Sequence, residues 1–147
     1  MPKISFTKML ASGNDFVVIE RSQNHVINSP RILARRICDR KFGIGADGLL
    51  LLEKSKVSDI KMRIFNPDGS EAEMCGNGAR CSVLYVGRRN TELETKAGII
   101  QSQLKGNSVK IKLTNPANIK LDIPLKVNKR NLKANFIDIG VPHAVIF

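Results

Sequence analysis

Hydrophobic and polar positions alternate at the start of the chain. Ile4 and Phe6 share one face of residues 4–9, which predicts a strand. Ala11-Ser12-Gly13-Asn14 reads as a turn, and the aromatic and β-branched residues 16–19 read as a second strand, giving a hairpin with Asn14 and Asp15 at its bend. After an irregular stretch at 24–28, Ser29-Pro30 carries the signature of a helix start, a serine cap with proline at the first helical position. Leu33, Ala34, Ile37 and Cys38 then form one apolar stripe, which marks Cys38 as a core residue. Leucines 49–52 fit a strand buried on both faces, and residues 61–65 fit another. Asn66-Pro67-Asp68-Gly69 is a strong turn signal. Residues 76–89 predict a helix with Ala79, Val83 and Val86 inward. Strands follow at 91–95, 99–104 and 109–113, the last two joined across Gly106-Asn107. Asn115-Pro116 marks a boundary, and 121–127 and 136–139 are further strands. The last residues, 140–147, are again β-branched and aromatic, an unprotected apolar strand that predicts a missing partner segment.

Composition narrows the picture. The 147 residues suffice for one domain with a sizeable core, or one domain and the start of another. No apolar run approaches the ~18 residues of a membrane span, and residues 1–9 lack a secretory core, so a cytoplasmic protein is expected. The formal charge of +11 favours anionic partners. Nucleic acid is disfavoured, because aromatics make up only 5% and the basic residues are dispersed. Three cysteines without a signal segment argue for free thiols. His25 and His143 are distant in sequence, so no metal site is expected.

Two glycine-bearing stretches stand out. Gly43-Ile44-Gly45-Ala46-Asp47-Gly48 enters a strand rather than a helix, so it fits neither a P-loop nor a dinucleotide fingerprint. It marks a backbone path that needs small residues, for packing or for close approach of a ligand. The second, Cys75-Gly76-Asn77-Gly78, opens the helix at 76–89. A thiol in a first helical turn meets unpaired N–H groups and the positive end of the dipole, both of which favour the thiolate. Gly76 and Gly78 let a carboxylate approach the amides of 76–78. An anion hook beside a base suits removal of the α-proton of an amino acid without pyridoxal phosphate, the charge being stabilised by fixed backbone donors. A plain buried thiol remains the competing reading of Cys75, and a self-satisfied turn former that of Asn14. Cys81 lies six residues on, a net rotation of about 240°, and does not face Cys75.

Three motifs in order resemble the diaminopimelate epimerases. They are Phe6-Thr7-Lys8-Met9 through Gly13-Asn14-Asp15-Phe16, Arg40 through Gly43-Ile44-Gly45-Ala46-Asp47-Gly48, and Asn66, Asp68-Gly69-Ser70 with Met74-Cys75-Gly76-Asn77-Gly78-Ala79-Arg80. Gly140-Val141-Pro142-His143 resembles a segment early in the family's second domain. The resemblance spans nearly the whole chain but about half of a family member. It implies an α+β fold, an α/β roll whose mixed, mostly antiparallel sheet wraps a central helix. It implies an N-terminal epimerase domain over 1–116 and the start of a truncated second domain over 117–147. It also implies a cofactor-independent isomerase that interconverts LL- and meso-2,6-diaminoheptanedioate for lysine and cell-wall synthesis, one cysteine per domain acting on opposite faces of the α-carbon. Cys75 would be the first cysteine, Asn14 and Asn66 would contact substrate, and Gly76 and Asn77 would donate backbone N–H groups.

Two positions depart from the pattern: Gly48 stands where many members have a substrate-touching glutamine, and Leu10-Ala11 where many have histidine and glycine. The expected partners are the diamino-dicarboxylate substrate and a missing C-terminal domain or complementary chain, with no cofactor, metal or membrane; a homodimer is left open by the sequence. Alone, the chain is expected to be inactive. The competing readings are another cofactor-independent racemase of the proline racemase type, an inactive epimerase-like fragment, and a basic nucleic-acid-binding protein.

Overall fold

The computed structural model describes residues 3–24 and 27–147; His25 and Val26, inside the stretch read as irregular, lie outside the described residues. The chain divides into two compact units, Met1–Lys112 and Leu113–Phe147.

In the first unit, strands β1 (Thr7–Ala11) and β2 (Asn14–Glu20) form the hairpin, with Ala11 opposite Asn14. The bend is therefore Ser12-Gly13, and Asn14 is already the first residue of β2. The first strand starts at Thr7, later than the alternation suggested, and Ile4 packs against the core without pairing. Helix α1 (Pro30–Ile37) begins where Ser29-Pro30 indicated, with Ser29 Oγ accepting from the Ile32 N–H. Strand β3 (Gly48–Glu53) runs parallel to β2, and β4 (Ile60–Phe65) returns antiparallel to β3. A two-residue strand, β5 (Glu71–Ala72), pairs with the end of β4 and leads into helix α2 (Gly76–Val86). Strands β6 (Asn90–Thr95), β7 (Gly98–Lys105) and β8 (Ser108–Lys112) complete the sheet, β6 lying parallel to the start of β4.

Two layers cover this sheet. Alternation puts Val17, Ile19, Leu49, Leu51 and Phe65 on one face, where they form a core with Ala34 and Cys38 of the α1 segment. Val18, Leu50 and Ile64 face the other way, toward α2. Leu49 to Leu52 are all fully buried, each worth about 1.5–3 kcal/mol relative to exposure. Helix α2 lies against β1, β2, β3, β4, β6, β7 and β8. The sheet curls far enough that Leu10 and Ala11 of β1 and Val109 of β8 line one cleft of about 180 Å³ together with Cys81 and Leu84. The unit is thus an α+β roll, a mixed and mostly antiparallel sheet wrapped around one central helix. That helix stops at Val86, short of the expected Arg89. Gly87 adopts φ 73° and its N–H returns to the Val83 carbonyl, a left-handed cap that the apolar spacing does not reveal.

The second unit is a three-stranded antiparallel sheet of β9 (Ala117–Val127), β10 (Arg130–Asp138) and β11 (Pro142–Val145), ordered β11-β10-β9. Leu125 sits opposite Leu132 and Ile123 opposite Ala134, so apolar side chains collect on one face, yet Leu121, Leu125 and Val127 stay exposed. No described helix is long and apolar enough to cross a membrane.

Candidate active site

Strand register gathers one end of the sheet into a rim. Strands β2 and β3 run parallel with Phe16 opposite Gly48, and β4 runs back with Phe65 opposite Leu49. Asn14, Asp47 and Asn66 therefore sit at the same end of three adjacent strands. The far edge of β4 is shared: β6 pairs with its beginning and β5 with its end. This brings the β5–α2 connection, and so Cys75, to the same rim. A forked contact from Arg63 Nε and Nη2 to Glu71, at 2.7 and 3.0 Å, holds the short strand in place and keeps the Glu71 carboxyl below its usual range.

Cys75 is the N-cap of α2, with extended backbone at φ −146° and ψ 120°. Its Sγ accepts from the Gly78 N–H at 3.4 Å, and its carbonyl from the Ala79 N–H at 2.8 Å. The amides of Gly76 and Asn77 find no acceptor among the described residues. The two glycines divide their work differently from the sequence reading. A Cβ on Gly78 would come within 2.9 Å of Leu50 Cδ2, so this glycine lets the helix press against the sheet. A Cβ on Gly76 would meet only Ile111 Cδ1, at 3.7 Å. Open approach for an anion is thus confined to the amides of 76 and 77.

The three asparagines differ. Asn14 Oδ1 is buried and accepts no hydrogen bond from any described residue. Asn66 is exposed, and its Nδ2 donates to Ser70 Oγ at 2.9 Å within the turn after β4. Asn77 Oδ1 accepts from Arg80 Nη2, which also donates to Ser12 Oγ at 3.3 Å, tying the first turn of α2 to the hairpin bend beside Asn14. A Cβ on Gly48 would lie 3.2 Å from the Phe65 carbonyl and 3.4 Å from the Phe16 ring, so packing already fills the space a larger residue would need. A larger cleft of about 420 Å³, on β6, β7 and β8, is lined by amides and lysines such as Gln101, Gln103, Lys110 and Lys112 and has no thiol.

Sequence reasoning missed an ionic cluster beneath this rim. Asp15 receives Lys8 Nζ at 2.8 Å and Arg40, which also reaches Asp47 at 2.8 Å. Arg40 first, and then Lys8, hold the Asp15 carboxyl far below the usual carboxylate range. The available signal was an aspartate in each of two turn-rich segments with an arginine ahead of the second, which spacing alone does not join.

A profile of the diaminopimelate epimerase family matches residues 6–120. The chain belongs to this family. It is 44% identical to the diaminopimelate epimerase of Methanocella arvoryzae, across 100% of this chain and 59% of that protein. It is 42% identical to the diaminopimelate epimerase of Caldanaerobacter subterraneus subsp. tengcongensis, across 97% and 59%. The chain thus spans about three-fifths of the length of the curated relatives it matches. Among solved structures it is similar to a probable proline racemase from Agrobacterium radiobacter with bound carbonate, at TM-score 0.69 and 18% identity, across 98% of this chain and 52% of that one. That likeness shows the fold alone.

Two expected results follow from the geometry. Burial pushes the Cys38 and Cys81 thiols up to about 11, whereas Cys75 is only half-buried. A thiol reagent near neutral pH is therefore expected to modify Cys75 alone in the native chain, and all three cysteines in denaturant. Native labelling of Cys81 as fast as Cys75, read by peptide mass, would contradict this placement.

The Asp15 carboxyl titrates lower folded than unfolded. Its contribution to stability is complete above the unfolded value of about 3.9 and is lost as pH falls from there toward the folded value. Asp15→Asn is expected to cost about 1–2 kcal/mol at pH 7, allowing for partial exposure, and to flatten the acid limb of stability against pH. Thermal midpoints of both chains from neutral to acid pH test this; parallel curves would show that the ion pairs contribute nothing.

Proposed function

We propose that this chain supplies the first half of an isomerase site that interconverts LL- and meso-2,6-diaminoheptanedioate. The observation that carries the reading is the half-buried Cys75 thiol at the head of α2, adjoining two backbone amides without acceptors. In this reading the substrate α-carboxylate sits on the amides of Gly76 and Asn77. The buried Asn14 Oδ1 can only accept, so its partner is a donor, the α-ammonium group. Asn66 lies at the same rim and contacts the substrate from the exposed side.

The Cys75 thiolate then takes the α-proton. The C–H bond breaks, an S–H bond forms, and the electron pair moves into the carboxylate, whose growing negative charge the two amides stabilise. A second acid returns a proton to the opposite face, and no electron sink beyond the carboxylate enters the scheme. Cys38 and Cys81 are buried, so we assign the second acid to a segment beyond these residues. We likewise assign 1–116 as the N-terminal domain and 117–147 as the start of the next. The relatives at 42% and 44% identity carry the name diaminopimelate epimerase, which favours this substrate over proline.

The test is an assay in deuterated water with LL-diaminopimelate, using the chain together with the C-terminal two-fifths of the Methanocella arvoryzae relative. Solvent deuterium at the α-carbon supports the proposal. A correctly assembled complex that binds the substrate and exchanges no α-hydrogen would overturn it.

A further inference from the structure

We propose that Arg40, with Asp15 and Asp47, is a positioning device that holds the Asn14 side-chain carbonyl free of protein partners so that it receives the ammonium group of an amino acid. The identity of that donor rests on the isomerase reading; the positioning does not.

Regular pairing of β2 with β3 starts at Phe16 and Gly48. The clamp continues it one residue further by a different route. The Asp15 N–H donates to Asp47 Oδ2 at 3.1 Å, and the Asp47 N–H donates to the Asp15 carbonyl at 2.9 Å and to Asp15 Oδ1 at 3.0 Å. Each aspartate thus grips the other's main chain, which brings two carboxylates together. Arg40 relieves their repulsion with a fork: Nη1 and Nη2 to Asp15 at 3.2 and 2.8 Å, and Nη2 to Asp47 at 2.8 Å. Gly45 lies against this arginine, a Cβ there falling 3.1 Å from both Arg40 Cα and Cγ. Lys8 closes the cluster, reaching Asp15 and the Gly45 carbonyl.

Neither the hairpin nor the core accounts for this construction. The hairpin turns at Ser12-Gly13, and the apolar core lies deeper along β2 and β3. What the clamp does control is the backbone at residue 15, directly after Asn14. Asn14 is then restrained on both sides, by pairing with Ala11 and by the clamp. A buried acceptor left without a partner is costly and turns toward any donor within reach. Restraint of the backbone on both sides limits which donors the side chain can reach and so keeps the carbonyl available.

The test uses the 147-residue chain together with the C-terminal two-fifths of the Methanocella arvoryzae relative. Carbon NMR follows the Asn14 side-chain carbonyl in the wild type, Arg40→Gln, Arg40→Lys and an Arg36→Gln control. In parallel, each chain is titrated with LL-diaminopimelate and with heptanedioate, the same dicarboxylate without amino groups. We expect both Arg40 variants to shift the carbonyl resonance to its hydrogen-bonded position. Affinity for diaminopimelate should fall about 10- to 100-fold, with affinity for heptanedioate unchanged. Lysine does not restore the wild type, because a point charge cannot bridge two carboxylates as a fork does. A lowered melting temperature with an unmoved carbonyl resonance would mean a plain brace and overturn the proposal. Wild-type behaviour of Arg40→Lys, or equal loss for both ligands, would overturn it as well. Should the assembled wild type bind neither ligand, the isomerase reading falls, and the carbonyl resonance still decides the positioning.

Discussion

Cys75→Ala is expected to lower α-proton exchange of LL-diaminopimelate by about 10²–10⁴-fold in the assembled enzyme, the usual worth of a positioned general base. Substrate affinity should change far less, because the proposed carboxylate and ammonium contacts come from the Gly76 and Asn77 amides and Asn14. A fall in kcat with little change in KM is the signature of an interaction made only in the transition state. Cys75→Ser keeps the shape of the cap, but its hydroxyl stays protonated near neutral pH and offers no free base to take the proton, so it is expected to resemble alanine. Cys38→Ala and Cys81→Ala are the controls: both thiols are buried, and their loss should appear as lower stability with exchange retained. Deuterium incorporation measured by proton NMR separates the three positions. Unimpaired exchange in Cys75→Ala would remove the catalytic proposal, whatever the overall rate.

Leu50→Ala is expected to cost about 2–5 kcal/mol, since Leu50 is fully buried and its loss opens a cavity between β3 and α2. The more informative experiment adds Gly78→Ala. Alone, that change drives a methyl to within 2.9 Å of Leu50 Cδ2, an overpacking cost of about 1–3 kcal/mol set against a helix-propensity gain of about 1 kcal/mol. In the Leu50→Ala background the obstructing methyl is gone, so the same change should turn stabilising by about 1 kcal/mol. Denaturant titration of the four chains is expected to give a coupling of about 1–3 kcal/mol. Additive effects would mean that Gly78 does not press on Leu50, and that the seating of the helix that carries Cys75 depends on other contacts.

How much of this was legible beforehand varies with the range of the interaction. The four-leucine strand, the helix start at Ser29-Pro30 and the hairpin around Gly106-Asn107 all occur in the structure, because each is specified by neighbours a few residues apart. Two local details escaped for equally local reasons. Two-residue β5 is too short to show a period, and it exists because the end of β4 offers a free edge. Helix α2 stops at the left-handed Gly87 cap, a backbone conformation, where the expected helix ran on to Arg89.

At the site, sequence alone determined the kinds of group present: a thiol at a helix start, glycines beside it, and an asparagine in the turn after β4. These follow from caps and turn chemistry, which act within a few bonds. Tertiary structure alone decided that Asn14, Asn66 and Cys75 share one rim, that Gly78 serves packing while Gly76 stays open, and that Arg40 joins two aspartates 32 residues apart. Those outcomes depend on the parallel register of β2 with β3 and on the divided edge of β4. Register is set by matching whole buried faces across the sheet, so no single segment contains the information.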